Sequence, residues 1–135
     1  MTRGILDTST LILRGRLPEV GALPDEPLIT TVTLAELSVG PLAATTDEER
    51  VVRQARLQQA EADFDPLPFD AAAARSFGRV AASLRKIGRK PAARAYDAMI
   101  AAIAISNDLP IHTCNPRAFT GIEELVVVAV PHPDD

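Results

Sequence analysis

The chain has 135 residues, a single cysteine, a net charge of −4 and 47% hydrophobic residues against only 4% aromatic ones. That length suits one domain with an aliphatic core, and the lone Cys114 excludes an internal disulfide framework and a thiolate zinc cluster. No charged-then-apolar leader opens the sequence, and its longest apolar runs, Ala98 to Ile105 and Val126 to Val130, are far too short to cross a bilayer; a soluble protein of the reducing cytosol, with no membrane partner, is expected.

The first predicted element is a strand over Gly4-Ile5-Leu6, whose bulky residues without polar alternation suit burial on both faces. It ends at Asp7, followed by Thr8, Ser9 and Thr10. In open parallel sheets, ligands sit beyond the carboxyl ends of the strands. Asp7 is therefore either a cation ligand or the cap of a short helix predicted from Ser9 to Leu13. Pro18, Gly21, Pro24 and Pro27 then make a broken connection, and Leu28-Ile29-Thr30-Thr31 reads as a second strand. A helix is predicted from Thr33 to about Val39, stopped by Gly40-Pro41. Glu36 within it has two readings. Thr33-Leu34-Ala35-Glu36 matches a capping box, yet Glu36 also follows the second strand as Asp7 follows the first, which would bring both acids to one end of a parallel sheet.

Thr46-Asp47-Glu48-Glu49 is a second capping box, opening a Gln- and Arg-rich surface helix that runs to about Ala62. The stretch Asp63 to Phe69 holds two prolines and at most a brief edge strand. Asp70 caps the next helix, whose Ala73, Phe77, Val80, Ala81, Leu84 and Ile87 recur at three- and four-residue steps until Gly88 ends it. A further helix starts near Pro91 and continues to about Asn107. Its run from Tyr96 to Ile105 is apolar on every side except for Asp97, an acid that needs Arg94, the positive helix start or a metal ion to compensate it.

Charge is uneven. Between Asp70 and Asp97 there is no acid, and seven of the fourteen bases fall there, Arg85, Lys86, Arg89, Lys90 and Arg94 among them. The remainder of the chain carries seven bases against eighteen acids. The interval is either a solvated helix face or a phosphate-attracting rim beside an acidic pocket.

Pro110 to Thr113 is a short strand, and Asn115 in Thr-Cys-Asn-Pro-Arg follows it. Asn115 either opens a turn or offers its amide to a metal-bound water. Val126 to Val130 forms a last buried strand, ahead of a short polar tail, residues 131–135. His112 reads as a packed strand residue, His132 as exposed and mobile, and Cys114 as a small filler. Strands alternate with helices throughout, which predicts a single α/β domain, a three-layer sandwich on a mainly parallel sheet. Acids brought together at one edge of that sheet would repel, and either protonation or a hard divalent ion such as Mg²⁺ or Mn²⁺ would relieve them.

Asp7 in Ile-Leu-Asp-Thr-Ser, Glu36 in Thr-Leu-Ala-Glu-Leu, Asp97 in Tyr-Asp-Ala-Met-Ile-Ala-Ala and Asn115 in Thr-Cys-Asn-Pro-Arg-Ala-Phe occur in the order of the acidic motifs of PIN-domain ribonucleases. The sequence resembles, more narrowly, the VapC toxins of bacterial toxin-antitoxin pairs, over nearly its whole length. The resemblance implies a metal site of Asp7, Glu36 and Asp97 holding Mg²⁺ or Mn²⁺, with Asn115 where many members carry a fourth acid and Ser9 and Thr113 as small polar residues of the pocket. It also implies cleavage of phosphodiester bonds in structured RNA such as tRNA or rRNA loops, inhibition of translation, a homodimer, and a cognate VapB-type antitoxin occupying the groove. Arg85, Lys86, Arg89, Lys90 and Arg94 are the candidates for RNA-backbone contacts. Asn115, and Ala118 where an acid often precedes the Phe, depart from the pattern and bear on a second metal position. Two alternatives compete. A catalytically weak PIN-like module that binds RNA or protein is the stronger; a phosphorylated receiver domain wants paired acids near the first strand and a late lysine, and no lysine follows Lys90.

Overall fold

The central strand of the sheet is β1 (Arg3–Leu6), flanked by β2 (Glu26–Leu28) and β3 (Ile111–Thr113), with β4 (Val127–Ala129) beyond β3. These come from a computed structural model that describes residues 1–17 and 23–134; the proposed breaks at Pro18 and Gly21 lie outside the described residues. Every pairing is parallel, with Ile5 opposite Leu28 on one side and Ile111 on the other. Ile5 and Leu6 are wholly buried, as a strand without polar alternation requires. Because all four strands run the same way, their carboxyl ends share one edge, and that edge positions the site.

Helices cover both faces. After β1 comes α1 (Thr8–Leu13), and after β2 the pair α2 (Thr31–Ala43) and α3 (Asp47–Asp63). Then follow α4 (Ala71–Lys86) and α5 (Ala95–Ser106). One core cluster joins Ile5, Ile111, Val80, Leu84 and Ile103; a smaller one gathers Ile29, Leu37 and Ala60 against Leu11, Leu57 and Phe64. A four-stranded parallel sheet between helices matches the expected three-layer architecture.

Several local expectations shift. The second strand lies earlier than Leu28 to Thr31, because Ile29 and Thr31 instead bond the backbone of Leu67 on both sides of an isolated Thr30 to Leu67 bridge. α2 starts two residues before the expected Thr33: Thr30 is its cap and accepts the Thr33 N–H at 3.2 Å. Pro41 sits inside its last turn rather than stopping it. In α3 the Thr46 hydroxyl accepts the Glu49 N–H, but the Glu49 carboxylate reaches back to Thr45. Asp70 caps α4 through the Ala73 N–H, as expected, and Gly88, at φ +78°, lets the chain leave it. The predicted helix from Pro91 divides into a 3-10 turn, Pro91–Arg94, and α5. Val126 to Val130 is not a buried strand: β4 has a single neighbour, and Val126 and Val128 face solvent. Nor is His132 loose, because it is half-buried with its Nδ1 accepting the Asp134 N–H, and Asp134 is held by Arg16 at 2.6 Å.

His112 packs on β3 against Gly4 of β1, where any Cβ would stand 2.3 Å from the His112 ring; only glycine fits there. On α2 and α3, Val39, Leu42, Val51 and Val52 are exposed, Leu42 at 89%. Among the described residues no helix is long and apolar enough to cross a membrane.

Candidate active site

Asp7 is the residue next after β1, 3% exposed and at the cap position of α1, yet its side chain takes no backbone N–H of that helix. Its carboxylate collects hydroxyls instead. Oδ2 accepts Thr113 at 2.9 Å and Ser9 at 3.3 Å, and Oδ1 accepts Thr10. Thr113 ends β3, so this bond ties together two strand ends that are neighbours in the sheet. The hydroxyls are themselves anchored: Thr10 accepts the Cys114 N–H and Thr113 accepts the Asn115 N–H, each at 2.9 Å. A buried acid with three hydroxyl donors is fixed in place.

Glu36 is not part of a capping box. With Thr30 as the cap, it lies in the second turn of α2 and cannot return to the helix start. It points to Thr8, whose hydroxyl donates to Glu36 Oε1 at 2.7 Å. Since a threonine has one proton to give, the 2.9 Å contact between Thr8 and Thr33 makes the Thr33 hydroxyl the donor when Glu36 is ionised. Burial pushes the Glu36 carboxyl up; the Thr8 bond works against this, and the charges of Asp97 and Asp7 add to it.

Asp97 sits in the first turn of α5, beside the wholly buried stretch Ile100 to Ala104 but itself half-exposed, not sunk in that run. Its carboxyl is likewise raised, first by burial and then by the charge of Asp7, while Arg94 at 3.6 Å opposes the shift. Glu36, Asp97 and Arg94 line one open depression of about 750 Å³. The three acids thus feel one another across the carboxyl edge of the sheet. Among the described residues no three acid, histidine or cysteine side chains already stand close enough together to grip an ion.

The chemistry of the donor set nevertheless suits a divalent metal. Asp7 and Glu36 form no ion pair among the described residues, and Asp97 has only the long contact to Arg94. Three carboxylates, two of them raised by burial and mutual repulsion, with only oxygen atoms on offer, fit a hard cation.

Asn115 lies at the same edge, directly after Thr113 and Cys114. It is exposed and precedes the 3-10 turn Pro116–Phe119 without capping it. Its backbone N–H, not its amide, joins the Asp7 network through Thr113. The basic residues are partly neutralised by acids from the far end of the chain: Lys86 pairs with Glu123 at 3.1 Å and Arg79 with Glu124 at 2.9 Å. Arg89 donates to the Thr120 carbonyl, Arg94 meets Asp97, and Arg85 and Lys90 project from the surface. Thr8 and Thr10 are site residues that sequence reasoning does not single out, their one signal being the run of hydroxyls after Asp7, and Thr33, read from the sequence as a helix cap, meets Thr8 instead.

The PIN domain family matches residues 5–124 of the chain. The chain is 44% identical over 112 residues to "Ribonuclease VapC5" of Mycobacterium tuberculosis, covering 82% of this chain and 81% of that protein. It is 29% identical over 133 residues to "Ribonuclease VapC" of Rickettsia bellii, covering 96% and 98%. Its fold is similar to that in a crystal structure of a VapBC-family toxin-antitoxin member, VapBC-5 of M. tuberculosis, with a TM-score of 0.83, 39% identity, and 96% and 100% of the two chains covered.

Proposed function

The chain belongs to the PIN domain family, among its VapC ribonucleases, and from that premise we propose that it is a divalent-metal-dependent endoribonuclease, the toxin of a toxin-antitoxin pair. The observation that carries the reading is the mutual electrostatic influence of Asp7, Glu36 and Asp97, remote in sequence and gathered at one edge of the sheet. Asp7, Glu36 and Asp97 would hold Mg²⁺ or Mn²⁺. When bound, such an ion supplies Lewis-acid stabilisation of the charge that develops in phosphodiester hydrolysis.

The chain's own residues do the positioning. Ser9, Thr10 and Thr113 fix Asp7 from three directions, so that its orientation is set before substrate arrives. Thr8 orients Glu36 through one of its two oxygens, and the other can accept a proton from an attacking water. The raised proton affinity of Glu36 suits that role better than an ordinary carboxylate would. Asn115, exposed just beyond Thr113, would offer its amide to orient water on the substrate side. Arg89, Lys90 and Arg94, with Arg85 farther out, face the phosphates of the RNA, whereas Lys86 is engaged by Glu123.

Structured RNA of the tRNA or rRNA type is the proposed substrate class, since its unstacked loops expose single phosphodiester bonds to a shallow acidic depression. Its cleavage would inhibit translation in the cytoplasm. A VapB-type antitoxin is the proposed partner, supported by the toxin-antitoxin assembly named for the M. tuberculosis structure. The exposed apolar residues of α2 and α3 are a surface for a second copy in a homodimer. The test is cleavage of a structured RNA by purified protein, titrated with Mg²⁺ or Mn²⁺ and compared with Asp7→Asn. Metal-dependent cutting lost in the variant is expected. RNA binding without cutting at any metal concentration would leave a binding module, the alternative to which Asn115 points.

A further inference from the structure

A second cavity lies beside the acidic depression and shares a wall with it. Its floor is apolar, made by Leu84 of α4, Ala98 of α5, Ala118 and Ile122, all buried. Its rim is cationic, formed by Arg89, Lys90 and Arg94. The 3-10 turn Pro91–Arg94 separates the two hollows, and Ala93 and Arg94 line both. Among the described residues no acid lines this second cavity, in contrast to its neighbour.

We infer that this groove receives the base of one nucleotide of the substrate strand, next to the phosphate undergoing cleavage at the acidic depression, with Arg94 between the two. The inference rests on the ribonuclease reading and adds to it a base-binding subsite. A nucleotide combines a flat, weakly polar ring system with an anionic phosphate, and the groove offers the complement of both within a few residues. Its volume of about 160 Å³ takes a single ring system. An amphipathic helix needs an extended seam of several anchors, so size and charge favour the nucleotide over a peptide. Arg89 is held at the rim by its 3.2 Å bond to the Thr120 carbonyl, where a guanidinium plane can stack on a base in place of the aromatic side chains such sites usually employ.

The test is NMR titration of the full chain in EDTA, so that neither metal nor cleavage contributes, with AMP as probe and ribose 5-phosphate and inorganic phosphate as probes without a base. AMP should shift the methyl signals of Leu84, Ala118 and Ile122, and the two other probes should not. Ala93→Leu, at an exposed position on the mouth, should weaken AMP at least tenfold and leave ribose 5-phosphate unchanged; Arg89→Ala should weaken all three. AMP binding no tighter than ribose 5-phosphate, or indifferent to Ala93→Leu, would overturn the subsite. So would an Ala93→Leu protein that loses only its antitoxin, which would give the groove to a protein side chain. A parent protein that binds AMP in this way yet never cuts RNA with Mn²⁺ would retain the subsite and lose the nuclease reading; one that cuts but shows no base-dependent binding would do the reverse.

Discussion

Thr113 donates its hydroxyl to Asp7 across 106 residues of sequence, at 2.9 Å, while accepting the Asn115 N–H on its other side. A single wholly buried side chain therefore satisfies an acid and a backbone amide at once. Thr113→Val keeps the shape and removes both bonds. It should cost about 1–3 kcal/mol in urea denaturation and lower the cleavage rate, whereas Thr113→Ser should recover most of both. Unchanged stability and rate in the valine variant would show that Asp7 is positioned by other means.

Asp97→Asn should reduce Mn²⁺-dependent RNA cleavage to background without unfolding the protein, because the amide keeps the volume. Mn²⁺ should raise the thermal midpoint of the parent, by the equivalent of about 2.7 kcal/mol at a hundredfold excess over Kd, and leave the variant unmoved. In EDTA the order reverses. Asp97 and Glu36 are raised in the folded state, so their contribution is fullest below the ordinary carboxylate range and is lost as pH rises through the raised values. The metal-free variant should accordingly be the more stable protein at neutral pH, the gap closing in acid.

His112 bears on pH in the opposite sense. Burial lowers its proton affinity, and its Nδ1 has no partner among the described residues. Between its lowered folded pKa and the ordinary value of about 6.5, the unfolded chain binds more protons, so stability falls as pH drops through that window. His112→Phe, which keeps a ring against Gly4, should flatten this part of the stability profile measured by denaturation from pH 7 to 5. An identical slope in parent and variant would assign the pH response elsewhere.

Double replacement of Arg89 and Lys90 by Ala should weaken RNA binding and reduce the slope of log affinity against log salt by about 0.7 for each phosphate no longer neutralised. Anisotropy with a labelled RNA in Ca²⁺ at several salt concentrations measures it. The same change at Arg79 and Lys86 should leave the slope nearly unaltered, since Glu124 and Glu123 already occupy those charges.

What was legible in the sequence was what is local and apolar. Ile5-Leu6 ahead of Asp7 gave the central strand and its terminal acid, and the aliphatic run after Asp97 gave the buried helix. The start of α2 was not legible, because Thr30, Thr31 and Thr33 are all competent caps and the choice follows from the bridge between Thr30 and Leu67 and from Thr8 meeting Thr33. β4 was expected to be buried because Val126 to Val130 is apolar, but composition does not say whether a strand has one neighbour or two. The parts of Thr10 and Thr113 depend on β1 lying beside β3, a pairing between the two ends of the chain. Lys86 and Arg79 looked uncompensated for the same reason: their acids come from a later stretch that folds back over α4.

The Cys114 N–H, the Thr10 hydroxyl and the Asp7 carboxylate form a clasp between the first strand and the third. If β3 drifts away, that carboxylate loses the hydroxyls of Thr113 and the anchored Thr10 that aim it. Chemical competence and global cooperativity are then one transition: loss of metal affinity on denaturation should track the loss of the sheet, with no earlier phase of softening at the reaction centre.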